Sequence, residues 1–159
     1  MLETLSGLPI IDVDTHITEP ADTWTSRVPA SMRDRVPYMD RDAKGRDVWI
    51  IDGKRTSLVG LTATAGVGDF LDRPATMADL HPASYDAGER LKYMDEMGID
   101  IQVMYPTIFI QQVTDKPEFE VPICKAYNRW MADVWKQGNG RLRWVCVLPL
   151  LSLPDAIDT

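Results

Sequence analysis

The sequence predicts an α/β fold built on parallel strands. Three observations carry this expectation. Short apolar runs alternate with amphipathic stretches in the order strand, helix, strand, helix, strand, helix start, the pattern of parallel strands joined by right-handed crossovers. Two of the helical stretches are punctuated at their ends, by Asp86 and Gly98 and by Gly138-Asn139-Gly140. And 159 residues are enough for one domain with a sizeable core. Periodicity alone does not separate an open doubly wound sheet from part of a barrel.

Residues 9–14 form the first strand, a buried one, because Pro9-Ile10-Ile11 opens an apolar run. The polar loop from Thr15 to Pro20 follows, and residues 29–35 suit a short helix. A β insertion occupies 36–59. Arg46–Ile51 and Lys54–Val59 flank Asp52-Gly53, the signal for a two-residue hairpin, and Val36–Asp40 adds a third strand through the turn 42–45. Residues 60–85 are rich in Gly, Ala, Thr and Asp without a period. They read as a loop, either a lid or an unstructured stretch.

Asp86 with Glu89 three places on has capping-box spacing, Leu91, Met94 and Met97 lie near helical spacing, and Gly98 supplies the stop. Residues 99–105 form the second strand, ended by Pro106. A long helix covers about 119–137, with Ile123, Tyr127, Trp130 and Val134 as one stripe and Cys124, Met131 and Trp135 beside it. Pro122 belongs in its first turn, since a deeper proline costs ~3 kcal/mol. Tyr127, Trp130 and Trp135 are expected in the core, and Asn128 beside them suits the capping of buried backbone groups. Residues 142–148 form the third buried strand, and Leu153-Pro154-Asp155 starts a helix.

Composition narrows the function. The net charge of −7 disfavours nucleic-acid binding. No apolar run approaches the ~20 residues of a membrane span, and Met1-Leu2-Glu3-Thr4 lacks the features of a secretory signal. A cytoplasmic location is the default expectation. Cys124 and Cys146, the two cysteines, read as buried reduced thiols.

Asp12-Val13-Asp14-Thr15-His16 is the segment that suggests chemistry. Strict alternation places Asp12, Asp14 and His16 on one face of a strand and Ile11, Val13 and Thr15 on the other. Carboxylates resist burial unless paired or metal-bound. A carboxylate and an imidazole two residues apart can share one ion at the end of a strand, where α/β folds build sites. The plain alternative is that Asp14 caps a turn and His16 is a hydrogen-bonded loop residue. The Asp-x-Asp run also resembles the nucleophile strand of haloacid-dehalogenase-type phosphatases, but that pattern wants Thr or Val where this chain has His16.

The wider context is more specific. Residues 10–20, Ile-Ile-Asp-Val-Asp-Thr-His-Ile-Thr-Glu-Pro, with Trp24 after them, resemble the opening of the amidohydrolase-related family, which includes aminocarboxymuconate-semialdehyde decarboxylase and γ-resorcylate decarboxylase. Residues 90–100, then Tyr105-Pro106-Thr107, then 126–130 and 141–150 fit in order. The resemblance implies the N-terminal portion of a (β/α)8 TIM barrel, about three parallel strands with helices, with a β-hairpin insertion after the first strand. It implies one partial barrel domain over 1–159, one divalent metal ion (zinc or manganese) and Asp14 and His16 as metal ligands. An acidic first ligand is similar to the decarboxylase-like branch.

The function implied is hydrolysis or non-oxidative decarboxylation of a small, carboxylated or aromatic, substrate. Substrate contact is open to Tyr105 and Thr107, at the end of the second strand. Two roles are open to Glu19: substrate contact, or a hydrogen bond to loop backbone. A whole barrel needs typically ~250 residues, and the family's further histidines and late aspartate have no counterparts here. His16 and His81 are the only histidines, and His81 reads as a lid or surface residue. The expected partners are therefore a small molecule and a homo-oligomer or a completing chain. The alternative is a non-catalytic α/β fragment or assembly module.

Overall fold

The computed structural model describes residues 7–56, 76–110 and 112–158. Most of the expected loop and the end of the second hairpin strand lie outside the described residues. Strand β1 (Ile11–Ile17) is followed by β2 (Tyr38–Arg41), β3 (Asp47–Ile51), β4 (Lys54–Thr56), α1 (Ala87–Met97), β5 (Ile101–Pro106), α2 (Pro117–Gln137), β6 (Leu142–Trp144) and α3 (Leu153–Ile157). The strands form two sheets, β1-β5-β6 and β2-β3-β4. The first is parallel throughout and the second antiparallel. No helix among the described residues is long and apolar enough to cross a membrane.

The hairpin turns where Asp52-Gly53 requires it. Both residues have positive φ, 49° and 70°, the backbone of a type I′ turn that fits the twist of its strands. The next turn back is held by Asp42, whose Oδ1 accepts from the backbone N–H of Lys44 and Arg46 while Oδ2 pairs with the Arg46 guanidinium. These hydrogen bonds hold the Asp42 carboxyl down at about 2. Residues 30–32 form only a 3-10 turn within the expected short helix.

Helix α1 begins as its cap dictates, with Asp86 Oδ1 accepting from the Glu89 N–H at 2.8 Å. Its buried face runs through Ala87, Arg90 and Met94; Met97 is 58% exposed. Gly98 ends it in the left-handed region, φ 68° and ψ 30°, with Ile99 N–H returning to Met94 O. A Cβ at Gly98 would meet nothing within 4 Å, so its cost is backbone strain alone. Gly98→Ala is expected to lower stability by about 1 kcal/mol. A denaturant midpoint equal to wild type would contradict this.

Helix α2 starts two residues before the sequence suggests, because Pro117 takes the favoured first-turn place. Pro122 therefore lies inside the helix rather than in its first turn. The backbone bond it forfeits is offset by the buried stripe of Ile123, Tyr127, Trp130 and Val134, all in the core with Cys124 and Met131. Trp135, expected there too, is 44% exposed. Trp24 ties the antiparallel sheet to this helix. Its ring meets Trp49 edge-on at 5.4 Å, and its Nε1–H donates to Ile123 O at 3.1 Å.

The third parallel strand is shorter than expected, pairing over Leu142–Trp144. The reason is Asn128. Its Nδ2 donates to Val147 O at 2.8 Å and its Oδ1 accepts from Val147 N–H at 3.0 Å. The side chain thus takes the backbone bonds that a longer strand would use, the capping role expected of it. Cys146 lies past the strand and is exposed, not buried, whereas Cys124 is buried; both are free thiols.

Candidate metal centre

The parallel sheet has two unlike faces. Gln102 and Met104 of β5 and Leu142 of β6 are buried. Tyr105, Val103 and Ile101 alternate with them and are more accessible. Among the described residues, helices cover the first face and leave the second open. Tyr105 pairs with His16 across the β1–β5 ladder, so His16 stands on the open face.

A bulge decides where the acidic residues go. Asp12 pairs with Gln102 and Thr15 with Met104. Three steps along β1 therefore match two along β5, one residue too many for strict alternation. Asp14 lies in this irregular segment without a partner on β5 and is exposed. Asp12 does not join His16, contrary to the alternation expected from the sequence. Its Oδ2 accepts from Gln102 Nε2 at 3.0 Å on the helix side, and its Oδ1 accepts from Asp14 N–H within the bulge.

Arg90 of α1 holds this irregular strand. Its Nη2 donates to His16 O at 2.8 Å and to Ser84 O at 3.4 Å. Its Nη1 lies 3.3 Å from both Thr15 Oγ1 and Gln102 Oε1, and its Nε donates to Ala83 O at 2.8 Å. The side chain is only 5% exposed. Burial lowers the pKa of the guanidinium and Asp12 raises it, leaving it charged at neutral pH. Sequence reasoning assigned Arg90 no role; the signal present was its place three residues after Ala87 and four before Met94.

The His16 ring is fixed from the other side. Nδ1 lies 2.9 Å from Pro106 O. A carbonyl only accepts, so Nδ1 donates, and in the neutral imidazole the lone pair is then on Nε2. That is the tautomer a metal ligand needs, with the outer hydrogen bond that orients such ligands. The Tyr105 ring is 6.2 Å from the imidazole, centroid to centroid.

Glu19 and Thr107 lie beneath the strand ends rather than on the open face. Glu19 Oε1 accepts from the N–H groups of Thr107 and Ile108 at 3.0 and 3.1 Å. Thr107 Oγ1 donates to Ile17 O at 2.8 Å. Both residues are buried. Glu19 Oε2 and the Tyr127 hydroxyl are buried without a hydrogen-bond partner among the described residues. Burial pushes the Glu19 carboxyl up to about 7, against the pull of the backbone N–H groups it accepts from. The loop-backbone role is the one its geometry displays. His81 accepts from Ala83 N–H at 3.2 Å and lies tilted against the Tyr93 ring, 5.3 Å between centroids, on the surface.

Asp14 and His16 supply one carboxyl and one imidazole side chain, a donor set suited to a divalent ion. No group of three His, Cys, Asp or Glu gathers as a metal site among the described residues.

No family model matches the sequence, and no curated protein matches it. Solved structures do. The fold is similar to that of an amidohydrolase from Mycobacterium avium subsp. paratuberculosis K-10, with a TM-score of 0.72 and 22% identity. It is also similar to the apo form of IDCase from Metarhizium anisopliae, with a TM-score of 0.55 and 16% identity. The alignments cover 96% and 98% of this chain but 46% and 39% of those chains, so it spans less than half their length. The chain thus has a mixed α/β fold with a three-stranded parallel sheet, similar to part of an amidohydrolase structure.

Proposed function

We propose that the chain is part of a metal-dependent enzyme of the amidohydrolase-related kind, in which Asp14 and His16 hold one divalent ion. The observation that carries this is the His16 ring, whose Nδ1 is committed to Pro106 O. Its Nε2 is left as a donor on the open face, two residues from Asp14. Zinc suits this pair, and manganese is the second choice. Catalytic zinc sites use three protein ligands, so the rest of the set comes from outside the described residues, from further chain or from a partner.

When bound, the ion would polarise a carbonyl or carboxyl group and lower the pKa of a bound water. The chain's own residues supply the setting. Arg90 pins the His16 carbonyl and Pro106 O orients the imidazole. Glu19 and Thr107 fix the turn that follows Pro106 at the end of β5. Tyr105 presents a ring beside the ligand pair, where a small aromatic or carboxylated substrate would lie. Hydrolysis and non-oxidative decarboxylation both use such a setting.

Ile11 and Val13, 49% and 62% exposed on β1, favour a second reading. Uncovered apolar surface of this kind suits a unit that acts by assembly, without a metal of its own. Elemental analysis of the purified chain separates the two. Near-stoichiometric zinc or manganese in wild type, lost in His16→Ala, is expected from the first. A metal-free wild type after incubation with zinc and dialysis would leave the second.

A further inference from the structure

Glu19 and Tyr127 are 1% and 0% exposed. Glu19 Oε1 accepts from the Thr107 and Ile108 N–H groups, but Oε2 and the Tyr127 hydroxyl have no hydrogen-bond partner among the described residues. Most buried side-chain polar atoms pair with protein or with ordered water, and an unmet one destabilises the fold. Thr23 Oγ1, four residues after Glu19, is the third such oxygen. Glu19 and Tyr127 share one neighbourhood. Ile108 holds Glu19 by its N–H, and the next residue, Phe109, meets the Tyr127 ring edge-on at 5.4 Å. Burial raises the pKa of the Tyr127 hydroxyl and the Glu19 charge raises it further, so the carboxyl lies within electrostatic reach of the phenol.

The two oxygens are not bonded to each other, so a small intermediary is needed to satisfy both. Water takes about two to four polar partners, whereas calcium or magnesium takes about six or more oxygens. We propose that one enclosed water joins Glu19 Oε2 to the Tyr127 hydroxyl, tying α2 to the turn after Pro106. Tyr127 is then a positioning residue that acts on this turn through Glu19. Oε1 already accepts from two N–H groups, so the proton of the neutral carboxyl sits on Oε2. That O–H donates to the water, and the water donates to the Tyr127 oxygen. In the ionised carboxylate the directions reverse: Tyr127 donates to the water and the water to Oε2. The tie does not depend on a metal at Asp14 and His16.

A crystal structure of the full chain, at a resolution that shows ordered water, tests this directly. One enclosed water within hydrogen-bond distance of both oxygens is expected in wild type, and its loss is expected in Tyr127→Phe, which keeps the ring and removes only the hydroxyl. Amide hydrogen exchange reads the tie in solution. In Tyr127→Phe, exchange at Thr107 and Ile108 should quicken at least about tenfold more than at Met94 of α1, because the turn is released locally while a general loss of stability would act on all three. A protein group bonded directly to either oxygen, a water that reaches only one of them, or no water between them would overturn the proposal. So would equal quickening at Thr107, Ile108 and Met94.

Discussion

Arg90→Ala is expected to remove at least about 4 kcal/mol of stability, the largest single loss in the parallel sheet. The side chain satisfies three backbone carbonyls, those of Ala83, Ser84 and His16, from one buried position. It also lies within hydrogen-bond distance of Thr15 and Gln102. Truncation would take this donor from the Ala83 and His16 carbonyls in a region water reaches poorly, each buried orphan costing about 1–3 kcal/mol, whereas Ser84 O keeps the Thr18 N–H at 2.7 Å. It would also leave Asp12 facing Gln102 without the cation behind it. A domain's whole stability is about 5–15 kcal/mol, so the variant should unfold at a much lower urea concentration. Arg90→Lys keeps the charge but not the fork, and should recover only part of the loss. Urea titration followed by circular dichroism measures both. A loss below about 1 kcal/mol in Arg90→Ala would mean that the bulge of β1 holds itself, and that Arg90 is incidental to the way Asp14 and His16 are presented.

The role of Arg90 shows where sequence reading stops. The stripe Ile123, Tyr127, Trp130 and Val134 was legible because burial along a helix repeats every 3.6 residues and all four are apolar. The hairpin was legible because Asp-Gly is among the few pairs that accept two positive φ angles. On α1 the same period passes through a charged residue, and a charge at a core position looks like a solvated one until its acceptors are known. Those acceptors come from β1, β5 and the turn before α1, brought together only by folding. The face of Asp12 was misjudged for a related reason. Alternation assumes one residue per ladder step, and the bulge between Asp12 and Thr15 inserts another. His16 escapes that error because it pairs with Tyr105 past the insertion. The exposure of Trp135 and Cys146 belongs to tertiary packing, which no local period encodes.

Between pH 4.5 and about 7 the wild-type chain is expected to lose about 3 kcal/mol of stability relative to Glu19→Gln, and the source is one buried carboxyl. Glu19 titrates near 4.5 when unfolded and at about 7 when folded. In that window the unfolded chain has released the proton and the folded chain still holds it. The folded state therefore binds more protons, and stability falls as pH rises, at about 1.4 kcal/mol per pH unit. Below 4.5 the carboxyl is protonated in both states, above about 7 it is ionised in both, and the contribution is flat at each end. Asp42, held down at about 2, has the opposite sign: its stabilisation is lost as pH falls through the acid range, below this window. Glutamine keeps an oxygen to accept from Thr107 and Ile108 but has no proton to lose, so the difference between wild type and Glu19→Gln isolates the carboxyl. Urea midpoints of both proteins at half-unit steps from pH 4 to 8 give that difference directly. A constant difference across the series would mean that water reaches Glu19 Oε2 and stabilises its charge. A difference that grows by about 3 kcal/mol would establish a neutral acid beneath the strand ends at pH 6, bonded to the turn that follows Pro106, whose carbonyl orients His16. Proton release from Glu19 would then strengthen its hold on Thr107 and Ile108 while weakening the fold as a whole, tying the position of the imidazole to pH through a residue that never touches it.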